Sequence, residues 1–535
     1  MADNSTESSP KLLVIGLDAA DRELIERWAD LGELPNIARL KSSGVWGNLQ
    51  TTADTLHVSA WPSIYSGVTP DEHGMYHAYV MREGEQAPVR PRPADCPAPF
   101  LWKLLDEHGK KSIVMDAFMT CPLRDFNGIQ IVDWGSWTWF AGQEIRPKSI
   151  KDEIRNKFGP YPAENHSQVG MTPPPDPVGF SERLIQGVKK KTDVARWLID
   201  SQDWEFFLVV FGECHAGGHY FWHYQDENYV AYPEQCEESL RTALLDIYKA
   251  LDTSIGELTE AAGEDVAVLV VSGDGMGPNY SASHLMPDVL KRMRLMNAGA
   301  EEKQEQSTEP KTEKKSLASR LRNLVPKSAR AFVSKYLLPR SINEKLSLHW
   351  KTADIDWSAT RAFLIDNANE GYVRVNLKDR EPEGVVAAGQ EYDAVCDAVQ
   401  ENVRRMVNPD NGMPVAEAVH KAVDLYSGPC LRTLPDVIIN WDPAAKVTTR
   451  VEVEGLGTIE CPHAGYQVSP YYTGNHRGNA FLIAQGPRID RSHKLVDGSI
   501  LDIAPTILEH FGIEIPEHMN GKARDDLFGS PAASD

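Results

Sequence analysis

Cysteine is scarce and scattered: seven among 535 residues, with no Cys-x-x-Cys pair. An odd, dispersed set argues against a disulfide framework and for free thiols in a reducing compartment, so a cytoplasmic location is expected. No stretch approaches ~20 consecutive apolar residues, so no membrane-spanning helix is expected. Residues 1–11 (MADNSTESSPK) carry neither a basic start nor an apolar core, and no secretory signal is read there. Positive charge is also short. Lys and Arg number 55 against 77 Asp and Glu, a net charge of −22. That field repels a phosphate backbone, so general nucleic-acid binding is not expected. There is no fixed-period repeat.

Apolar residues make up 41% of the chain, enough for a sizeable core, and 25% are charged, as in an ordinary globular protein. Residues 11–18 (KLLVIGLD), 112–116 (SIVMD), 204–212 (WEFFLVVFG) and 266–272 (VAVLVVS) are short runs without polar alternation. Strands buried on both faces have this character. Residues 21–40, after the first run, have helical spacing. Strands alternating with helices predict an α/β fold with a mostly parallel central sheet flanked by helices. Ligands in such folds bind beyond the carboxyl ends of the strands. Asp18, residues 213–219 and Asp274 all follow such ends.

The chain divides by composition. Residues 1–10 form a polar leader and 11–300 the first part of the α/β domain. Residues 301–316 (EEKQEQSTEPKTEKKS) are a charged, low-complexity linker expected to be disordered. A basic amphipathic insertion follows at 317–350, and residues 351–528 complete the domain, with a tail at 529–535. Within 316–338, Arg320, Arg322, Lys327, Arg330 and Lys335 alternate with apolar residues. This segment can make weak contact with an anionic membrane surface or pack as a helical hairpin on the main domain. Residues 362–366 and 371–376 read as strands of a smaller inserted or cap subdomain, with a helix over 392–406. Residues 435–441 and 479–484 return to buried-strand character, and a last helix covers 500–511.

Several short segments can carry chemistry. Asp18 ends a buried strand, where an acid can bind metal, accept loop amides or cap a helix. Residues 55–67 (TLHVSAWPSIYSG) bring Thr55, His57 and Ser59 to a helix start. Ser59 is a candidate cap there, and the free backbone N–H groups suit an anion. Residues 212–223 (GECHAGGHYFWH) hold three histidines directly after a strand. His215 and His219 are four apart, as are His219 and His223, a spacing that lets two imidazoles share one helical face and one cation. Gly217 and Gly218 argue against a regular helix, and a loop can place the same rings. Residues 272–278 (SGDGMGP) put Asp274 after another strand, although Gly-Asp-Gly is also an ordinary turn. Residues 473–479 (TGNHRGN) put His476 and Arg477 before a buried strand.

In order and spacing these pieces resemble the type I phosphodiesterase/nucleotide pyrophosphatase family of the alkaline phosphatase superfamily. The resemblance is carried by residues 13–18, 60–67 with 70–74, 219–222, 272–277, 371–378, 425–429, 434–436, 474–477 with 486–487, and 502–506. It implies an alkaline-phosphatase-like sandwich and hydrolysis of a phosphate ester, with a phosphorylated small molecule or phosphodiester as substrate. It also implies two divalent ions, often zinc, at the strand ends, and a Thr or Ser nucleophile that forms a covalent intermediate. Asp18, His219 and His476 match ligand positions of the family unchanged. Four positions depart: His57 stands at the nucleophile position, His215 at an acid position, and Gly273-Asp274 where Asp-His is usual. The substituted residues regroup as two sets, one of His215, His219 and His476, the other of Asp18, Asp274 and His57. His57 can attack, or serve as a ligand beside a metal-activated water; Thr55 and Ser59 are the alternative nucleophiles. Two readings compete: a member that only binds a phosphorylated ligand or partner, and phosphoryl transfer on lipid head groups at a membrane surface, for which the basic segment 316–338 is the motive.

Overall fold

The computed structural model describes residues 10–77, 79–91, 96–135, 143–163, 174, 176–297, 355–365, 371–461, 472–490, 495, 497–524 and 527. The linker 301–316, the insertion 317–350 with its basic segment 316–338, and the tail 529–535 lie outside the described residues, as does all of the leader except Pro10.

Four apolar runs become the centre of a nine-stranded sheet: Val266–Ser272, Lys11–Leu17, Phe206–Phe211 and Ser112–Met115 lie side by side and all parallel. Gly128–Val132 and Glu144–Arg146 extend one side. Ala480–Gln485, Val45–Gln50 and Gly498–Ser499 extend the other, with Ala480–Gln485 antiparallel to both its neighbours. The first strand shows why polar alternation is missing. Leu13, Ile15 and Leu17 enter one apolar cluster, with residues of the helices Pro177–Ser201 and Glu238–Ala262. Leu12 and Val14 enter the opposite cluster, with the helices Ala60–Ser66, Leu101–Glu107 and Ile503–His510. Each strand thus has two dry faces, which a parallel sheet requires.

Residues 21–40 form two helices rather than one, Arg22–Asp30 and Pro35–Ser43. Gly32, at φ +78°, and Pro35 divide them. Asp21 caps the first, accepting the Leu24 N–H at 3.0 Å, an interaction typically worth about 1 kcal/mol. Capping therefore falls to Asp21, and the Asp18 side chain turns elsewhere.

A smaller antiparallel sheet runs in the order Ala416–Lys421, Val437–Trp441, Gly371–Val375, Ala362–Leu364. The helix Gln390–Arg404 packs Val395, Val399 and Val403 into its core. Among the described residues, no helix is long and apolar enough to cross a membrane.

The two glycines after His215 do not interrupt the helix. Glu213–Gln225 is helical throughout and carries His215, Gly217, Gly218 and His219. The expected penalty for glycine is overridden by packing. A Cβ at Gly217 would lie 2.7 Å from Ile247 Cδ1, and one at Gly218 would lie 2.8 Å from Met276 Cγ. The absent side chains let this helix press against the helix Glu238–Ala262 on one side and the strand Gly275–Pro278 on the other.

Candidate metal centre

Three strand ends deliver the site. Lys11–Leu17 ends at Asp18, Phe206–Phe211 leads into the helix with His215 and His219, and Val266–Ser272 leads to Asp274. A fourth segment closes it. Gly474–Arg477 pairs antiparallel with Gly275–Pro278, placing His476 opposite Met276. Gly474 is required here, because a Cβ on it would lie 2.2 Å from the Gly218 carbonyl oxygen.

His215, His219 and His476 converge, with one ring nitrogen from each lying within 4.8 Å of the others. The Nδ1 of each ring is tied to an acceptor. His215 Nδ1 meets Asp18 Oδ2 at 2.7 Å, His219 Nδ1 meets the Gly474 carbonyl at 2.7 Å, and His476 Nδ1 meets Asp274 Oδ2 at 2.6 Å. A carboxylate or carbonyl oxygen accepts, so each Nδ1 carries a proton, and a ring without a second proton presents its lone pair at Nε2. His215 Nε2 and His219 Nε2 are only 2.8 Å apart. Two lone pairs at that distance repel unless a proton or a metal cation lies between them. Histidines that donate Nδ1–H to a carboxylate or carbonyl while offering Nε2 are the usual arrangement around zinc. The donor set therefore fits a divalent cation of borderline softness.

Burial tunes these groups. Burial alone would push the Asp18 carboxyl up. The His215 and Trp61 interactions outweigh it, and the group lies below the ordinary carboxylate range. Burial holds the His219 imidazole well below its usual value, reinforced by neighbouring His215 and His476 and opposed by the Gly474 bond. A neutral His219 is what ligation requires. His223, also four residues from His219, turns away to Thr473 Oγ1 at 3.0 Å, and burial lowers it to about 4.

The other expected residues divide. His57 is half-buried, and its ring lies 6.4 Å from that of His476. Ser59 is fully buried and does not cap the helix Ala60–Ser66; its hydroxyl donates to the Leu56 carbonyl at 2.5 Å, following the 3-10 turn His57–Ser59. Thr55 Oγ1 lies 2.6 Å from the Tyr426 hydroxyl and donates to the Thr52 carbonyl. Asp18 and Asp274 stand one bond behind the converging nitrogens, each holding a histidine. Arg477 points the other way, to Asp21 Oδ2 at 2.7 Å and Glu23 Oε2 at 2.9 Å.

Two participants were missed in the sequence. Trp61 Nε1–H donates to Asp18 Oδ1 at 2.7 Å. The Tyr472 ring stacks on His219 at 4.0 Å, with its hydroxyl 2.8 Å from Nε2. The only available sign was proximity to candidate residues: Trp61 lies four residues after His57, and Tyr472 four before His476.

The family motifs 70–74 and 425–429 serve as a structural pin. Asp71 Oδ2 accepts the Ser427 and Gly428 N–H groups at 3.0 and 2.5 Å. His73 Nδ1 accepts the Met75 N–H at 3.0 Å, so its Nε2–H faces Ser63 Oγ. Burial lowers His73 to about 3, partly offset by Asp71.

Comparison with known proteins agrees with this architecture. The type I phosphodiesterase / nucleotide pyrophosphatase family matches residues 12–463. No curated protein matches significantly. Among solved structures, the chain is similar to phosphonoacetate hydrolase from Sinorhizobium meliloti 1021 in complex with phosphonoformate, at 11% identity and TM-score 0.51, covering 94% of this chain and 95% of that one. It is also similar to human ectonucleotide pyrophosphatase / phosphodiesterase 5, at 13% identity and TM-score 0.48, covering 97% and 100%. At such identities the likeness concerns the fold, a helix-flanked, mostly parallel sheet of the alkaline-phosphatase type. The chain belongs to the type I phosphodiesterase / nucleotide pyrophosphatase family, whose members are phosphoester hydrolases.

Proposed function

We propose that the chain hydrolyses a phosphate ester of a small phosphorylated molecule with a divalent cation, zinc by donor type, held by His215, His219 and His476. The observation carrying this reading is the approach of His215 Nε2 to His219 Nε2 at 2.8 Å while both Nδ1 atoms face acceptors. When bound, the cation supplies Lewis-acid polarisation of the phosphoryl oxygen.

Of the three candidate nucleophiles, His57 is the one beside the histidine cluster, whereas Ser59 and Thr55 are engaged in the local turn. His57 takes the proton of the attacking water. The water oxygen bonds to phosphorus as the ester P–O bond breaks on the opposite side, where the leaving oxygen takes a proton from solvent, and His57 returns its own proton to solvent afterwards. This assigns general-base work to the His57 imidazole. Asp18, itself held by Trp61, orients His215, and Asp274 orients His476.

The test is hydrolysis of an aryl phosphodiester by zinc-loaded protein, with chelated protein and His219→Ala as controls. The expected result is turnover in the loaded wild type alone; loaded wild type without turnover at any pH from 6 to 9 would sink the reading. A second reading, a member that binds a phosphorylated ligand without cleaving it, is favoured by His57 and Gly273 at positions where the family has a hydroxyl and an acid. It predicts ligand-dependent thermal stabilisation with no product.

A further inference from the structure

The resemblance implies two ions, but the second ligand set does not fit one. We infer that this cleft holds a single divalent cation, and that Asp18 and Asp274 are positioning residues for its histidines rather than ligands of a second ion. The inference rests on reading the three histidines as a cation site.

Four observations carry it. Each oxygen of Asp18 accepts a hydrogen bond, Oδ1 from Trp61 Nε1–H and Oδ2 from His215 Nδ1–H, each at 2.7 Å, and among the described residues Asp18 forms no group of metal-ligand spacing with Asp274 and His57. The tryptophan is locked in place. It is 2% exposed, and its ring tip fills the space above Gly16, where a Cβ would lie 2.5 Å from Trp61 Cη2. Gly273 has no side chain and no room for one, since a Cβ there would lie 2.9 Å from both Ala60 Cβ and Ile64 Cδ1. An acid at that position would enter an apolar helix face. Asp274 spends Oδ2 on His476, leaving only Oδ1 uncommitted. The three protein ligands a zinc site normally has are therefore brought together by the histidines and not by Asp18, Asp274 and His57 among the described residues. Asp54, close enough to His57 to interact electrostatically, forms no group of metal-ligand spacing with it among the described residues.

Charge gives the same answer. Three neutral imidazoles leave a bound cation at +2, and Asp18 with Asp274 cancels it. Asp21, the next buried acid along the chain, is already neutralised by Arg477. A second cation would bring two further positive charges without a buried counter-charge, which a low-dielectric site does not tolerate. The two carboxylates act through the rings, fixing each Nδ1–H and raising the basicity of Nε2.

The experiment is metal stoichiometry on the full-length protein. The chain is stripped with chelator, titrated with zinc by calorimetry and checked by elemental analysis after desalting. One ion per chain is expected. Asp18→Ala and Asp274→Ala should keep that stoichiometry with affinity reduced about 10–100-fold. The corresponding Asn variants, which retain an acceptor oxygen, should lose less. Near-ultraviolet circular dichroism confirms that each variant is folded. Two ions per wild-type chain, falling to one in Asp18→Ala, would overturn the inference while leaving the cation site itself standing. No ion in the wild type would overturn both. Neither result depends on turnover.

Discussion

Two buried charged clusters in this molecule are built on opposite principles. Beneath the small sheet, Arg374, Arg380, Glu381 and Asp436 form a saturated network. Arg380 reaches both oxygens of Asp436 at 2.8 and 2.7 Å, and Arg374 Nε reaches Glu381 at 2.8 Å. The remaining lone pairs are taken by the Val375 and Leu377 N–H groups and the Tyr392 hydroxyl. The histidine cluster at the large sheet's edge is unfinished by comparison: among the described residues Asp274 Oδ1 has no hydrogen-bond partner, and the Nε2 atoms of His215 and His219 lie 2.8 Å apart. A closed network serves the fold, while an open one leaves polar atoms that a ligand can engage. Within the family pattern, Arg374 and Asp436 serve this network, while the Tyr372 hydroxyl donates to the Thr55 carbonyl at 3.4 Å.

The largest effect should come from breaking the closed cluster. Asp436→Asn leaves the two buried guanidinium groups of Arg374 and Arg380 sharing one carboxylate, Glu381, and should cost about 3–5 kcal/mol, read from chemical denaturation. This contribution also has a pH signature. Burial alone would raise Asp436, but Arg380 and Arg374 hold it below the ordinary value of 3.8. Its stabilisation is therefore complete above pH 3.8 and is lost as pH falls through the lower folded value. The stability curves of wild type and Asp436→Asn should converge in acid, and parallel curves down to pH 2 would show that Asp436 is not the group responsible.

Breaking the open cluster should have the reverse profile. His57→Ala should lower turnover about 10²–10⁴-fold, as expected for a proton-transfer group, with zinc content and unfolding midpoint unchanged. Loss of zinc in that variant would make His57 a ligand instead. Gly218→Ala lies between the two classes. Its Cβ meets Met276, so it should cost about 1–3 kcal/mol and weaken zinc binding by shifting His219. Unchanged zinc affinity would separate helix packing from the site. The smallest effect belongs to Thr55→Val, for which turnover should change less than tenfold; a loss as large as that of His57→Ala would make the Thr55 hydroxyl the nucleophile.

The parts legible in sequence depended on local rules. Strands with two dry faces announce themselves as unbroken apolar runs, as residues 266–272 do, and polar groups just beyond their carboxyl ends are natural site candidates. The illegible parts depended on distant partners. The helix through Gly217 and Gly218 is fixed by Ile247 and Met276, which no local propensity reports. The choice of Asp18 as a histidine partner follows from Trp61 and from Asp21 taking the cap. Tyr472 joins the cluster by stacking, which has no sequence spacing of its own.

The central claim is that His215, His219 and His476 share one cation. A crystal of zinc-loaded protein, measured on either side of the zinc absorption edge, tests it directly. The account predicts one anomalous peak in the cleft, about 2.0–2.1 Å from Nε2 of all three histidines. A cleft without a peak, or a peak coordinated by Asp18 and Asp274 instead of the three rings, would contradict it.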